Sequence, residues 1–295
     1  MLTEILNAPA PAKLNLFLHV TGRRADGYHE LDTVFQLIDL QDRIDLKRRD
    51  DGQIVRIGAL PGVPAEADLT VRAARRLQEQ SGTALGVEIR LEKSIPMGGG
   101  LGGGSSDAAT TLLALNQLWG LGLDHDQLAT IGLSLGADVP FFIFGRTAHA
   151  RGVGERLTAM DLPQSWFVVV APPVNVPTAA IFAAPELTRN SPPFKIDGSS
   201  QDLSVWSGRN DLQPVVLRRY PEVASAISAL AGSASSMGLD PALVRMSGSG
   251  ACVFCPVPSQ SLAEELAESI LRSEVGSVHV CRGLSRHPLG SRQVG

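Results

Sequence analysis

PMGGGLGGGSSDAA, residues 96–109, decides how the rest of this chain reads. Glycine fills six of the seven positions from Gly98 to Gly104, and only Leu101 interrupts. Such a loop costs much entropy to order, so a packing-only reason for it is weak. Glycines let backbone N–H groups turn inward and approach a ligand without Cβ clashes. The loop then runs into a helix, whose first amides and dipole favour negative charge. Ser105 and Ser106 add hydroxyls for phosphate or Mg²⁺. The pattern points to a nucleotide's phosphates; a hinge or tight turn is the plain alternative. No Gly-Lys-Ser/Thr ends the loop, so it is not a Walker A. Gly98, Gly100 and Gly103 do fit G-x-G-x-x-G. A dinucleotide site, however, needs a buried strand before the loop and an acidic strand end after the helix. The preceding strand is amphipathic, and LGLDHDQLATIG (121–132) reads as helix.

Working outward, VEIRLEK (87–93) alternates as a strand should, and Asp68 reads as the N-cap of a helix through VRAARRLQEQ that stops near Gly82. After the loop, Ser105, Ser106 and Asp107 read as caps of a helix, AATTLLALNQLW, ended by Gly120. A second helix fits 126–135, and GADVPFFIFG (136–145) reads as a turn into an apolar segment. Near the start, AKLNLFLHV (12–20) alternates. Leu14, Leu16, Leu18 and Val20 point one way; Lys13, Asn15, Phe17 and His19 point the other. VFQLIDL and RIDLKRR read as two further strands. In the second half, WFVVVAPP (166–173) is a buried strand, 183–209 a long loop, and 211–219 and 221–231 helices. LVRMSGSGACVFC reads as strand, tight loop, strand; SLAEELAESILRS is an amphipathic helix, SVHVCRG a last strand, and the tail after Ser285 frays. A boundary near 153–165 divides the chain into 1–155 and 156–295, each with elements enough for a core.

Three further features carry chemistry. Lys13 and Asn15 lie side by side on a strand face, where a lysine is ordinarily solvated. Asp138, beside Val-Pro-Phe-Phe, is either a turn cap or a buried carboxylate in need of a partner. A Lys–Asp pair near a nucleotide suits phosphoryl transfer: the carboxylate accepts a hydroxyl proton and the ammonium stabilises charge. The glycines of SGSGACVF (247–254) make a tight turn or let a second loop approach the phosphates.

Composition limits the class. With 26 basic and 30 acidic residues the net charge is −4, which argues against a general nucleic-acid binder. No apolar run approaches the roughly 20 residues of a membrane-spanning helix. The N-terminus lacks the basic and apolar regions of a signal peptide. Cys252, Cys255 and Cys281 are the three cysteines; an odd, low count suggests reduced thiols and a cytoplasmic home. The C-x-x-C at 252–255 lies in an apolar strand-like run, where cysteine behaves as a small hydrophobe.

Together these residues resemble the GHMP small-molecule kinase superfamily. PAKLNLFLHVTGRRADGYHEL, PMGGGLGGGSSDAA and SGSGACVF occur in that family's order. DGYHEL, LGADVPFF, GVGE (152–155), VPTAAIF (176–182) and NDL (210–212) resemble the branch that acts on a cytidine-diphosphate-linked methylerythritol in the non-mevalonate route to isoprenoids. The resemblance spans residues 9 to 255. It implies an α/β (α+β) fold of two domains, an N-terminal ATP-binding domain and a C-terminal ferredoxin-like one. It implies transfer of the ATP γ-phosphate to the 2-hydroxyl of that substrate. Lys13 and Asp138 fall on the catalytic positions. Pro96, Met97, Gly98, Gly99, Gly100, Leu101, Gly102, Gly103, Gly104, Ser105 and Ser106 fall on the ATP loop, and Lys93 lies near the adenine side. Asn15 and Thr178 match positions that hold methylerythritol; Tyr28, His29 and Phe182 match the cytosine pocket. Mg²⁺ is expected with ATP, but no carboxylate pair stands out as its ligands. A small-molecule substrate is implied, with no nucleic acid, membrane or obligate protein partner. Asp68 stands where the family often has Asn, and Ala179 where some relatives have Pro. Relatives acting on homoserine, mevalonate or a sugar have no cytosine to bind, so Tyr28 and His29 discriminate. A catalytically silent nucleotide-binding protein has no need of Lys13 and Asp138.

Overall fold

The structure is a computed structural model that describes residues 2–194 and 206–290. The first strand, β1, runs Glu4–Arg23 and pairs antiparallel with β2, His29–Arg49. Both faces of β1 are buried, not one. Leu14, Leu16 and Phe17 enter one core while Leu18 and Val20 enter another, because the register slips between Asn15 and Leu18. The bulge rotates the chain, and strict alternation fails beyond Asn15.

VFQLIDL and RIDLKRR are not two strands but one, β2. The polar stretch around Asp42 reads as a break, yet Asp42 is fully buried. Its Oδ1 accepts the amides of Ser94 (2.6 Å) and Ile95 (2.8 Å), so the carboxylate is satisfied inside the sheet. This long strand organises the molecule. It also pairs with β4 (Gly86–Glu92) and β5 (Ala148–Gly152), and at Leu37 and Ile38 with β10 (Ser277–Leu284). Beyond β4 lies parallel β3 (Ile54–Ile57); beyond β5 lies β6 (Arg156–Ala159).

Helix α1 (Leu69–Ser81) is capped by Asp68 and stopped by left-handed Gly82, as its sequence suggests. Helix α2 runs Gly103–Leu118 and starts earlier than expected. Gly102, at φ 73°, is its N-cap, so Ser105, Ser106 and Asp107 lie inside the first turns and cap nothing. Helix α3 (His125–Leu133) opens with a capping box from Asp124 and Gln127. GADVPFFIFG is not a turn alone: Val139–Phe144 form helix α4, with Pro140 in its first turn and Gly145 closing it.

The second half holds β7 (Trp166–Ala171), α5 (Thr178–Phe182), α6 (Gln213–Arg219), α7 (Pro221–Ser236), β8 (Arg245–Met246), β9 (Val253–Val257) and α8 (Gln260–Leu271). Strands β10, β7, β9 and β8 are neighbours in that order, with α7 and α8 against them. The chain is irregular from 183 to 194, as read; 195–205, within the expected long loop, lie outside the described residues.

One core gathers Leu37, Ile44 and Leu46 of β2 with Leu77 of α1 and Leu112 and Leu115 of α2. A second gathers Val168 and Val170 of β7 with Leu230 of α7 and Leu266 and Ile270 of α8. Leu14, Leu16, Val169 and Phe254 form a third between them. Cys252, Cys255 and Cys281 are buried and unpaired; burial pushes the first two thiols up to about 12. The tail does not fray directly after Ser285: His287 is buried and its amide donates to Gly145 O at 2.7 Å. Residues 291–295 lie outside the described set.

Candidate active site

A cavity of about 990 Å³ opens between the two halves. Lys13, Asn15, Tyr28, His29, Lys93, Asp138, Thr178 and Phe182 line it, together with every residue from Pro96 to Ser105. Ser106 does not. Its hydroxyl donates to Pro11 O at 2.7 Å and its amide to Gly102 O at 2.9 Å, so helix geometry turns it into the core, away from any phosphate.

The glycine loop is more tightly packed than its composition suggests, which corrects the view that packing is a weak reason for it. Gly100 has φ 73°, and a Cβ there would lie 2.2 Å from Ser247 O. At Gly102 a Cβ would lie 2.9 Å from the Phe142 ring. Three contacts pin the loop: Lys13 N donates to Leu101 O (2.9 Å), Cys252 N to Gly99 O (3.0 Å), and Ser247 Oγ to Gly100 O (3.1 Å). SGSG is therefore the loop's partner rather than an isolated turn. Asn210 of the NDL segment holds it from beneath, donating to Met246 O and Gly248 O at 2.8 Å each. The first bond within α2 is Ser106 N to Gly102 O, which leaves the amides of Gly103, Gly104 and Ser105 without helical acceptors at the cavity wall. The pinned loop thus presents three amides to the cavity in the arrangement of an anion nest.

Lys13 meets Asp138 across this nest. Lys13 Nζ lies 3.4 Å from Asp138 Oδ2 and donates to Asn15 Oδ1 at 2.6 Å. The ammonium also sits 5.2 Å from the centre of the Phe35 ring. Lys13 is buried, whereas Asp138 keeps a third of its side chain open. Asp138 occupies the position before α4 but makes no capping bond, so its carboxylate is free for chemistry. Asn15 is fixed in turn: its Nδ2 donates to Thr33 Oγ1 at 2.9 Å, and its amide donates to Ser247 Oγ at 3.2 Å.

Lys93 lies beneath the start of α2, where a Cβ on Gly103 would come within 3.2 Å of its Nζ. Its ammonium is held by Asp42 and by Asp107 Oδ2 at 2.7 Å. Burial alone pulls Lys93 down, but the two carboxylates outweigh it and raise its pKa. Burial, with Asp42 beside it, pushes Asp107 up against the pull of Lys93. Asp107 Oδ1 is buried and has no hydrogen-bond partner. Apolar Leu60, Val63, Leu69 and Leu91 line the same end of the cavity.

At the opposite end the His29 ring sits 5.0 Å from the Phe182 ring, inclined 35°, and Tyr28 stands exposed on the rim. Burial, then Arg189 and Arg23, lower the His29 pKa, so the ring is neutral at physiological pH. Thr178 Oγ1 is 2.6 Å from Ser249 Oγ, joining α5 to the SGSG loop. Sequence reasoning missed Arg189, Ser249, Asp42 and Asp107 as site residues. The NDL segment offered a signal for Asn210; nothing local marked Arg189.

Known proteins resemble the chain along nearly its whole length. Residues 68–146 match the GHMP kinases N terminal domain and residues 198–275 the GHMP kinases C terminal. The chain is 56% identical to a 4-diphosphocytidyl-2-C-methyl-D-erythritol kinase of Aromatoleum aromaticum, covering 98% of this chain and 96% of that protein. It is 55% identical to the protein of the same name from Thiobacillus denitrificans, covering 95% and 96%. A crystal structure of 4-(cytidine 5'-diphospho)-2C-methyl-D-erythritol kinase superposes with a TM-score of 0.77 at 37% identity, covering 95% of this chain and 98% of that one.

Proposed function

Because the chain belongs to the GHMP kinase family, we propose that it transfers the γ-phosphate of ATP to the 2-hydroxyl of 4-(cytidine 5'-diphospho)-2-C-methyl-D-erythritol. The products are the 2-phosphate and ADP, in the non-mevalonate route to isoprenoids. The observation that carries the reading is the Lys13–Asp138 pair, 3.4 Å apart, facing free loop amides in one cavity.

The chain's groups divide the work as follows. The amides of Gly103, Gly104 and Ser105 take the phosphates, and the apolar residues beside them take the adenine. Tyr28, His29 and Phe182 take the cytosine, and Asn15 and Thr178 take the methylerythritol. Asp138 accepts the proton of the 2-hydroxyl as its oxygen attacks phosphorus. Lys13, held by Asn15, stabilises charge on the attacking and phosphoryl oxygens. Lys93 supports the loop from below through Asp42 and Asp107.

Mg²⁺ would neutralise phosphate charge. Among the described residues no group of three or more His, Cys, Asp or Glu is placed to hold a metal. A nucleotide-borne Mg²⁺ needs only one or two carboxylates, and the unpartnered Asp107 Oδ1 at the base of the loop fits that need. We divide the domains at 155/156, with β6 still paired to β5 of the first half. A cytoplasmic location follows from the reduced thiols and the metabolic role. Small-molecule turnover needs neither nucleic acid nor membrane; none of the described helices is long and apolar enough to cross a bilayer.

A coupled ADP-release assay tests the reading. Turnover is expected with the cytidine-linked methylerythritol and not with homoserine, mevalonate or galactose. Comparable turnover on any of those three would sink it.

A further inference from the structure

Arg189 belongs to the irregular stretch after α5 and is half-buried, standing behind the cavity-lining His29. Its guanidinium donates four hydrogen bonds. Three go to carbonyls around the end of α5: Phe182 O (3.0 Å), Ala184 O (2.7 Å) and Leu187 O (3.1 Å). The fourth runs from Nε to His29 Nε2 at 3.1 Å. One planar cation thus ties together Phe182 and His29, the two rings that face each other at 5.0 Å.

The chemistry of that fourth bond is restrictive. A guanidinium carries hydrogen-bond donors and no acceptor. His29 Nε2 must therefore offer a lone pair, which puts the ring proton on Nδ1. The second nitrogen is left as a donor. The other charged group acting on His29 is Arg23, on the paired strand β1, and it too opposes a positive ring. Cytosine carries an acceptor at N3, whereas uracil carries an N–H there. A fixed donor suits the first and leaves the second with two hydrogens facing each other, the kind of mismatch that discriminates strongly when buried.

We propose that Arg189 is a positioning residue that locks His29 as the neutral, Nδ1-protonated imidazole and thereby makes the pocket selective for a pyrimidine with an acceptor at N3. The inference rests on the cytidine-substrate reading above.

Two measurements on the full-length protein test it. In ¹⁵N NMR of the ligand-free protein, His29 Nε2 is expected to show a pyridine-like shift and Nδ1 a pyrrole-like one. In Arg189→Met the His29 titration midpoint should rise toward that of an ordinary histidine. A protonated Nε2 in the unaltered protein overturns the proposal without any variant. By calorimetry, CMP should bind the unaltered protein at least roughly tenfold tighter than UMP. Arg189→Met should bring that ratio near one while ADP affinity is unchanged, and Arg189→Lys, which retains a donor, should restore part of it. Equal CMP preference in the unaltered protein and in Arg189→Met overturns the Arg189 assignment and leaves the substrate reading standing. No CMP binding by the unaltered protein overturns both.

Discussion

One end of the cavity is walled by backbone: the amides of Gly103, Gly104 and Ser105, on a loop clamped by Lys13, Cys252 and Ser247. The other is walled by side chains from distant parts of the chain, His29 on β2 and Phe182 on α5, with Arg189 behind them. The first end is rigid before any ligand arrives, since its glycines are hemmed by Ser247 O and the Phe142 ring. The second is organised by one guanidinium and keeps Tyr28 exposed. A wall made of such backbone tolerates almost no added atom. A wall made of side chains is adjustable, since its residues can change without touching the loop.

Four substitutions put that contrast to the test. Asp138→Asn removes the proposed proton acceptor between the two ends. Turnover should fall roughly 10³-fold while calorimetry finds ADP affinity within about twofold of the unaltered value. Wild-type-like turnover would remove Asp138 from the chemistry. His287, which braces the far end of α4 through Gly145, is pushed down to about 4 by burial. The unfolded chain takes up its proton near pH 6.5, whereas the folded chain refuses it until about pH 4. The stability it contributes is therefore complete above pH 6.5 and lost as pH falls through that window, by up to about 3 kcal/mol. Denaturant titrations of the unaltered protein and His287→Phe between pH 7 and 4 should differ in slope; identical slopes would contradict the assignment.

Gly100→Ala drives a methyl into Ser247 O and strains a left-handed position. A loss of about 2 kcal/mol of stability is expected, with ADP binding weakened. A neutral effect on both would show the loop to be slack. Tyr28→Ala removes only an exposed face at the adjustable end. CMP should weaken roughly tenfold with no change in thermal midpoint or ADP binding. Equal losses for CMP and ADP would dissolve the distinction between the two ends.

The legibility of the chain follows the same division. The loop, α1 with its Asp68 cap, and the strand–turn–strand at SGSG can be read because each is decided by neighbours in sequence. The single long β2 is invisible locally, since Asp42 survives inside it only through amides that lie 52 and 53 residues onward. The early start of α2 escapes because Ser105–Asp107 look like caps, while the cap is a left-handed glycine. Lys13 and Asn15 are predictable as neighbours on one strand. That Asp138 joins them is implied by the family resemblance and by nothing in the spacing. Arg189 has neither kind of signal, because its role lies in hydrogen bonds that only the folded chain brings together.

The pairing of β10 with Leu37 and Ile38 of β2 has a consequence for how the polypeptide is made. A strand that ends at Leu284 completes an edge laid down near the start of synthesis. Until β10 is made, the gap at Leu37 and Ile38, between the stretches of β2 that β5 and β4 cover, keeps its amides and carbonyls open to other nascent chains. Any product truncated before Ser277 leaves that gap open, a sticky spot that invites chaperones or aggregation.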